Sequence, residues 1–135
     1  MNELILEAKT ENLDEVLTFV GRHLKEKGCV MRTQVQIIVA VEELFVNISR
    51  YAYQSGTGRV TIRMEAYEKP DIVSITFIDS GVPFNPLAKE DPDITLSAEE
   101  RPIGGLGIYM VKKSMNDISY EYRDGQNILC MKKNI

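Results

Sequence analysis

A chain of 135 residues with 44% hydrophobic and 27% charged side chains has the size and composition of one globular domain with its own core. Its net charge of −4 offers no basic field to draw in nucleic acid or an anionic membrane. The acidic N-terminus lacks the apolar stretch of a signal peptide, and no apolar run nears the roughly 18–20 residues that span a bilayer, so a soluble, cytoplasmic protein is expected.

In chain order, "ELILEA" over 3–8 is short and apolar and predicts a first strand. "TENLDEVLTFVGRHLKEKG" carries Leu13, Val16, Leu17, Val20 and Leu24 at helical spacing, with Asn12 as expected N-cap and Gly28 as the stop after a lysine-rich last turn. A second helix is expected from about Met31 to Tyr53, broken by "QSGTG". "RVTIRMEAY" and "DIVSITFID" alternate and are β-branched; joined by "EKPD", they predict a hairpin. Periodicity then vanishes from Ser80 to Gly105, a long loop with four prolines. "GLGIYMVKKSMND" regains helical spacing, and "ISYEY" and "NILCMKK" flank "RDGQ" as a second hairpin.

There is no internal repeat and no Pro/Gly/Ser linker, so a single domain over 1–135 is expected. The order β-α-α-β-β-α-β-β predicts an α+β two-layer sandwich. Its sheet is expected to be mixed and mostly antiparallel, with about three helices on one face. Cys29 and Cys130 lack metal or redox spacing and His23 is the single histidine, so reduced packing cysteines are expected and a zinc site is not.

The second helix poses the functional question. At roughly 100° per residue, Ile37, Ile38, Val41, Leu44, Phe45, Ile48 and Ala52 share a broad apolar face. Beside it runs a polar stripe of Gln36, Glu43, Asn47 and Arg50, while Glu42 points to the edge. A solvated helix face would show the same stripe. Two further segments add to it. In "FIDSGVPFNP", Asp79 closes an apolar strand and Gly81 follows, so a carboxylate stands where a ligand's amine could donate to it, or where a plain Asp-Ser-Gly turn ends the strand. In "IGGLGIYMVKK", Gly104, Gly105 and Gly107 open a helix whose free amides suit an anion, although the spacing is neither a P-loop nor a dinucleotide fingerprint.

Glu-x-x-x-Asn on a helix, then Asp-x-Gly after a strand, then Gly-Gly-x-Gly into a helix resembles, in content and order, the GHKL ATPase superfamily with its Bergerat ATP-binding fold. Within that superfamily, "VEELFVNISRYAY", "DSGVPFNP" and "GGLGIYMVKKSMNDISY" look most like the anti-sigma-factor serine kinases of bacterial partner switching. The resemblance implies ATP and Mg2+ as cofactors. It makes Asn47 the metal ligand, through an amide oxygen suited to a hard cation, and Glu43 the general base. Asp79 would read the adenine amino group, with Gly81 beside the base. Gly104, Gly105, Leu106 and Gly107 would wrap the phosphates behind a lid over about 87–103.

Some positions depart from the family pattern. Tyr51 stands where such kinases often carry histidine, and Asn85 where aspartate is common. Arg50 would either pair with phosphate or form a surface salt bridge with Glu43 or the neighbours of Val46. The family's adenine-side threonine is absent, leaving Gln126 or Asn127 to substitute.

The function so implied is an ATP-dependent protein serine kinase that binds a sigma factor and phosphorylates a STAS-domain anti-sigma antagonist, working as a homodimer. Competing readings are a nucleotide-binding regulatory module without phosphoryl transfer, which could dispense with Glu43, and a stand-alone histidine-kinase-like ATPase domain.

Overall fold

A computed structural model of the chain describes residues 1–53, 56–88 and 106–135. Strand β1 (Asn2–Glu7) leads through a short 3-10 turn into helices α1 (Leu13–Glu26) and α2 (Met31–Tyr51). The hairpin strands β2 (Arg59–Tyr67) and β3 (Ile72–Asp79) follow. Helix α3 (Leu106–Ser114) and the hairpin of β4 (Asp117–Arg123) and β5 (Gln126–Asn134) complete the chain. This is the order read from the sequence, with α2 ending two residues short of its expected limit.

The five strands form one sheet in the order β1-β2-β3-β5-β4, and every neighbouring pair is antiparallel. The expected mixed sheet would need a parallel pair, such as one helix between two strands commonly makes. Here β3 and β4 do run the same way, but β5 folds back between them and pairs antiparallel with both. Between β1 and β2 the chain passes through two helices rather than one, which restores the opposed direction.

Alternation along the strands sorts the sheet into a core face and an outer face. Val60, Ile62 and Met64 on β2, Val73, Ile75 and Phe77 on β3, and Leu129 and Met131 on β5 are all buried toward the helices. Val16, Val20 and Leu24 of α1 and Ile37, Val41, Leu44 and Phe45 of α2 meet them, as the helical spacing requires. Full burial of a side chain such as Phe45 or Phe77 contributes roughly 1.5–3 kcal/mol each. The same alternation carries one step past Phe77 and turns the Asp79 carboxylate inward, at the end of the strand where the core meets a cleft.

Helix boundaries follow local chemistry. Gly28 ends α1 with a left-handed φ of 72°; its N–H donates to Lys25 O and the Cys29 N–H donates to Leu24 O, a Schellman stop. Asn12 does occupy the cap position, but its side chain gives no cap bond; its Nδ2 donates backward to Glu7 O and ties the helix start to β1. The final hairpin turns on Asp124 and Gly125, both at positive φ, which locks the register Arg123↔Gln126 and thereby Tyr122↔Asn127. No helix among the described residues is long and apolar enough to cross a membrane.

Candidate functional site

Between the C-terminal half of α2, the end of β3 and the β4–β5 hairpin lies a cleft lined by Leu44, Asn47, Ile48, Ala52, Phe77, Asp79, Phe84, Pro86, Tyr120, Asn127 and Leu129. Its walls are mostly apolar and its polar groups few, the usual make-up of a small-molecule site. Water-sized space inside it is only about 30 Å³, widening to about 390 Å³ with the open mouth included. A flat ring would therefore enter from the mouth, where Tyr51 and Phe84 stand with ring centroids 5.7 Å apart.

Asp79 is 5% exposed. Its Oδ1 accepts two hydrogen bonds of 2.9 Å, from the Gly81 N–H and from Asn127 Nδ2. Oδ2 bonds to none of the described residues, and no buried side-chain polar atom among them lacks a partner, so Oδ2 keeps its access to the cleft. A carboxylate oxygen there is an acceptor awaiting a donor.

Asn47 contributes from α2. Its Nδ2 donates 2.8 Å to Glu43 O, one turn back along its own helix. The donor end is thus committed to the backbone, and Oδ1 is the end left to face a ligand. That orientation fits an oxygen ligand for a hard cation.

Glu43 sits one turn earlier, half-buried. Its carboxylate makes no hydrogen bond or ion pair among the described residues, and it packs directly on the first turn of α3. A Cβ added at Gly107 would collide with both carboxylate oxygens and their carbon. Glycine at this position is what lets a free carboxylate lie against the start of α3, where the helix dipole favours negative charge.

Gly81 is needed for a packing reason as well, beside the ligand room expected from the sequence. A Cβ there would run into the Ala52 backbone carbonyl, which also accepts a 2.8 Å bond from the Val82 N–H. Gly81 therefore seats the Asp79 loop on the end of α2. Ser80 N–H donates to Tyr53 Oη, and Tyr53 donates to Arg59 O, a second tie for the same loop. Burial pushes the Tyr53 hydroxyl above its usual range, and the Asp79 charge adds to it.

Arg50 is exposed, lies outside the cleft lining and forms no ion pair among the described residues. A Glu43–Arg50 salt bridge, one of the alternatives open for Arg50, does not form among the described residues; seven positions separate the two by about 10 Å of helix rise. Leu106 begins α3. Gly104, Gly105 and the segment 89–103 of the expected lid lie outside the described residues.

Two contributors escaped the sequence reading. Phe84 and Tyr120 both line the cleft, and Tyr120 was only one of three aromatics or aliphatics alternating along β4. The turn-fixed register would have placed it opposite Leu129, on the core face. Gln126, offered as a substitute for the adenine-side threonine, is exposed at the turn and does not line the cleft.

A helix carboxylate and amide one turn apart, a strand-end aspartate in an apolar cleft, and a helix that starts on the carboxylate through Gly107 are the arrangement expected of an ATPase domain of the histidine kinase type. The model of the histidine kinase-like ATPase domain family matches residues 6–133, and the chain belongs to that family. Within it the chain is related to proteins named serine-protein kinase RsbW. It is 29% identical over 134 residues to the one from Bacillus mycoides (strain KBAB4), covering 96% of this chain and 82% of that protein. It is 35% and 36% identical over 98 residues to those of Bacillus cereus strains ATCC 10987 / NRS 248 and B4264, covering 70% of this chain but only 60% of those proteins.

Proposed function

We propose that this chain is an ATP-dependent protein serine kinase that acts as an anti-sigma factor, binding a sigma factor and phosphorylating a STAS-type antagonist. The observation that carries the reading is the cleft shared by Asn47 and Asp79, with Glu43 one helical turn before Asn47, outside the cleft lining and packed on the start of α3. The kinase names of the relatives support the reaction class.

In this reading adenine enters the cleft between the Tyr51–Phe84 rings and the apolar floor, and its amino group donates to Asp79 Oδ2. The phosphates extend along α2 toward Leu106 and Gly107 at the start of α3, and the reading adds Gly104 and Gly105, which precede them in the sequence. Magnesium, when bound, would neutralise phosphate charge, and Asn47 Oδ1 is the side-chain oxygen placed to hold it. A serine hydroxyl of the partner attacks the γ-phosphorus while Glu43 takes its proton; the bond to ADP breaks as the serine ester forms. A carboxylate without other partners is free for that role, and general-base help of this kind typically contributes about 10²–10⁴-fold. The phosphoserine brings a charge of about −1.5 to −2 into the partner interface and so favours release. A homodimer and a cytoplasmic setting complete the proposal.

The test is transfer of labelled phosphate from ATP with Mg2+ to a STAS-domain protein, with Glu43→Ala alongside. Label on a serine of the acceptor, lost in the variant while ATP binding persists, is the expected result. Binding without transfer in both proteins would instead mark a nucleotide-sensing module.

A further inference from the structure

Asn127 is 5% exposed and uses its whole hydrogen-bonding capacity inside the protein. Its Nδ2 donates 2.9 Å to Asp79 Oδ1 and 2.9 Å to Val82 O. Its Oδ1 accepts from the Phe84 N–H at 3.1 Å and from the Tyr120 hydroxyl. Two donors and two acceptor positions are all that a side-chain amide has. Nothing remains for a base or a bridging water, so Asn127 does not take over the adenine contact that the sequence left open to it.

Its place in the sheet explains the arrangement. Asn127 pairs directly across from Asp79 in the β3–β5 register, on the same inward face. A strand-end carboxylate is otherwise free to turn about its terminal torsion. With the Gly81 N–H and the Asn127 amide both on Oδ1, that turn is blocked. The same amide holds Val82 and Phe84, so the loop carrying the Phe84 ring moves with the carboxylate as one unit.

We infer that Asn127, braced by Tyr120, is a positioning residue that fixes Asp79 with Oδ2 alone facing the cleft, and so makes the site selective for a purine bearing a 6-amino group. The inference rests on the nucleotide reading above. A fixed acceptor rewards a donor and repels the 6-oxo group of inosine triphosphate. A carboxylate released from its clamp can rotate or take up water and loses part of that discrimination.

The experiment is equilibrium binding of ATP and inosine triphosphate to the full chain, the parent compared with Asn127→Leu, Tyr120→Phe and Asp79→Asn. Asn127→Leu is expected to weaken ATP by about 10- to 100-fold, the worth of one hydrogen bond to a charged group, while inosine triphosphate changes by less than about 2-fold. Tyr120→Phe keeps the ring, removes one brace and should lower the ATP preference by about 3-fold, which decides the matter if the leucine variant does not fold. Equal weakening of both nucleotides, or an unchanged preference, overturns the clamp. If Asp79→Asn also leaves the preference unchanged, the adenine reading itself is wrong. If Asp79→Asn erases the preference and the Asn127 and Tyr120 variants do not, only the clamp is.

Discussion

Gly107→Ala separates stability from chemistry more cleanly than any other single change. The added methyl meets the far end of the Glu43 side chain rather than backbone, at 2.1 Å, so the carboxylate must retreat by more than 1 Å to reach the 3.4 Å of ordinary contact. Moving it off its preferred rotamer costs about 0.5–1.5 kcal/mol. Replacing glycine with alanine within α3 returns up to about 1 kcal/mol of helix propensity. The two nearly cancel, so the melting temperature should move by no more than about 4 °C. A base displaced by 1 Å from the reacting hydroxyl, by contrast, is worth about 100-fold in rate. Thermal unfolding, ATP binding and single-turnover transfer to a STAS-domain protein, measured on the same preparation, form the assay. Unaltered stability and ATP affinity with transfer reduced about 100-fold is the expected pattern. Full transfer activity would refute the placement of Glu43 as the base. A loss of more than about 10 °C would refute the claim that the collision is with a yielding side chain.

Gly81→Ala should behave oppositely, because its added methyl strikes the Ala52 carbonyl, which cannot move without α2; a loss of about 1–3 kcal/mol in chemical denaturation is expected. Asn47→Ala removes the oxygen proposed for the cation but only a local helix bond, so stability should change by less than about 1 kcal/mol. Binding of ATP should weaken in the presence of Mg2+ and remain at the parent value without it, as titration in EDTA would reveal. The Tyr120 hydroxyl is pushed above its ordinary value by burial first; the Phe84 backbone opposes this, and the Asp79 charge adds a smaller upward push. A group whose folded value is raised stabilises fully below its unfolded value near 10 and loses that contribution as pH rises through the folded one. Denaturation of the parent should therefore become steeper with pH above about 10 than that of Tyr120→Phe. Parallel curves would show that the hydroxyl contributes nothing there.

Much of the site was legible before any coordinates. Glu43 and Asn47 are four apart on a helix, and that spacing alone puts them on one stripe. Asp79 follows an alternating strand and Gly107 opens a helix, both local facts of spacing. Arg50 was placed on the same stripe correctly, yet it contributes no contact to the cleft, because membership of a stripe says nothing about how far along the helix a ligand reaches. Gly81 was assigned to ligand access; its packing reason, the Ala52 carbonyl, is a neighbour 29 positions away that no local pattern exposes.

The division follows from range. Periods of 3.6 and 2, the Schellman glycine at 28 and the Asp124-Gly125 turn are set by interactions within a few residues, so the linear chain determined the elements, their faces and the register of the last hairpin. Strand order is a global choice. Inserting β5 between β3 and β4 made the sheet wholly antiparallel and brought Asn127 opposite Asp79 across 48 positions of sequence. Only when packing joins segments that far apart does Asn127 meet the carboxylate it holds, because such a bond needs two distant backbones fixed at once.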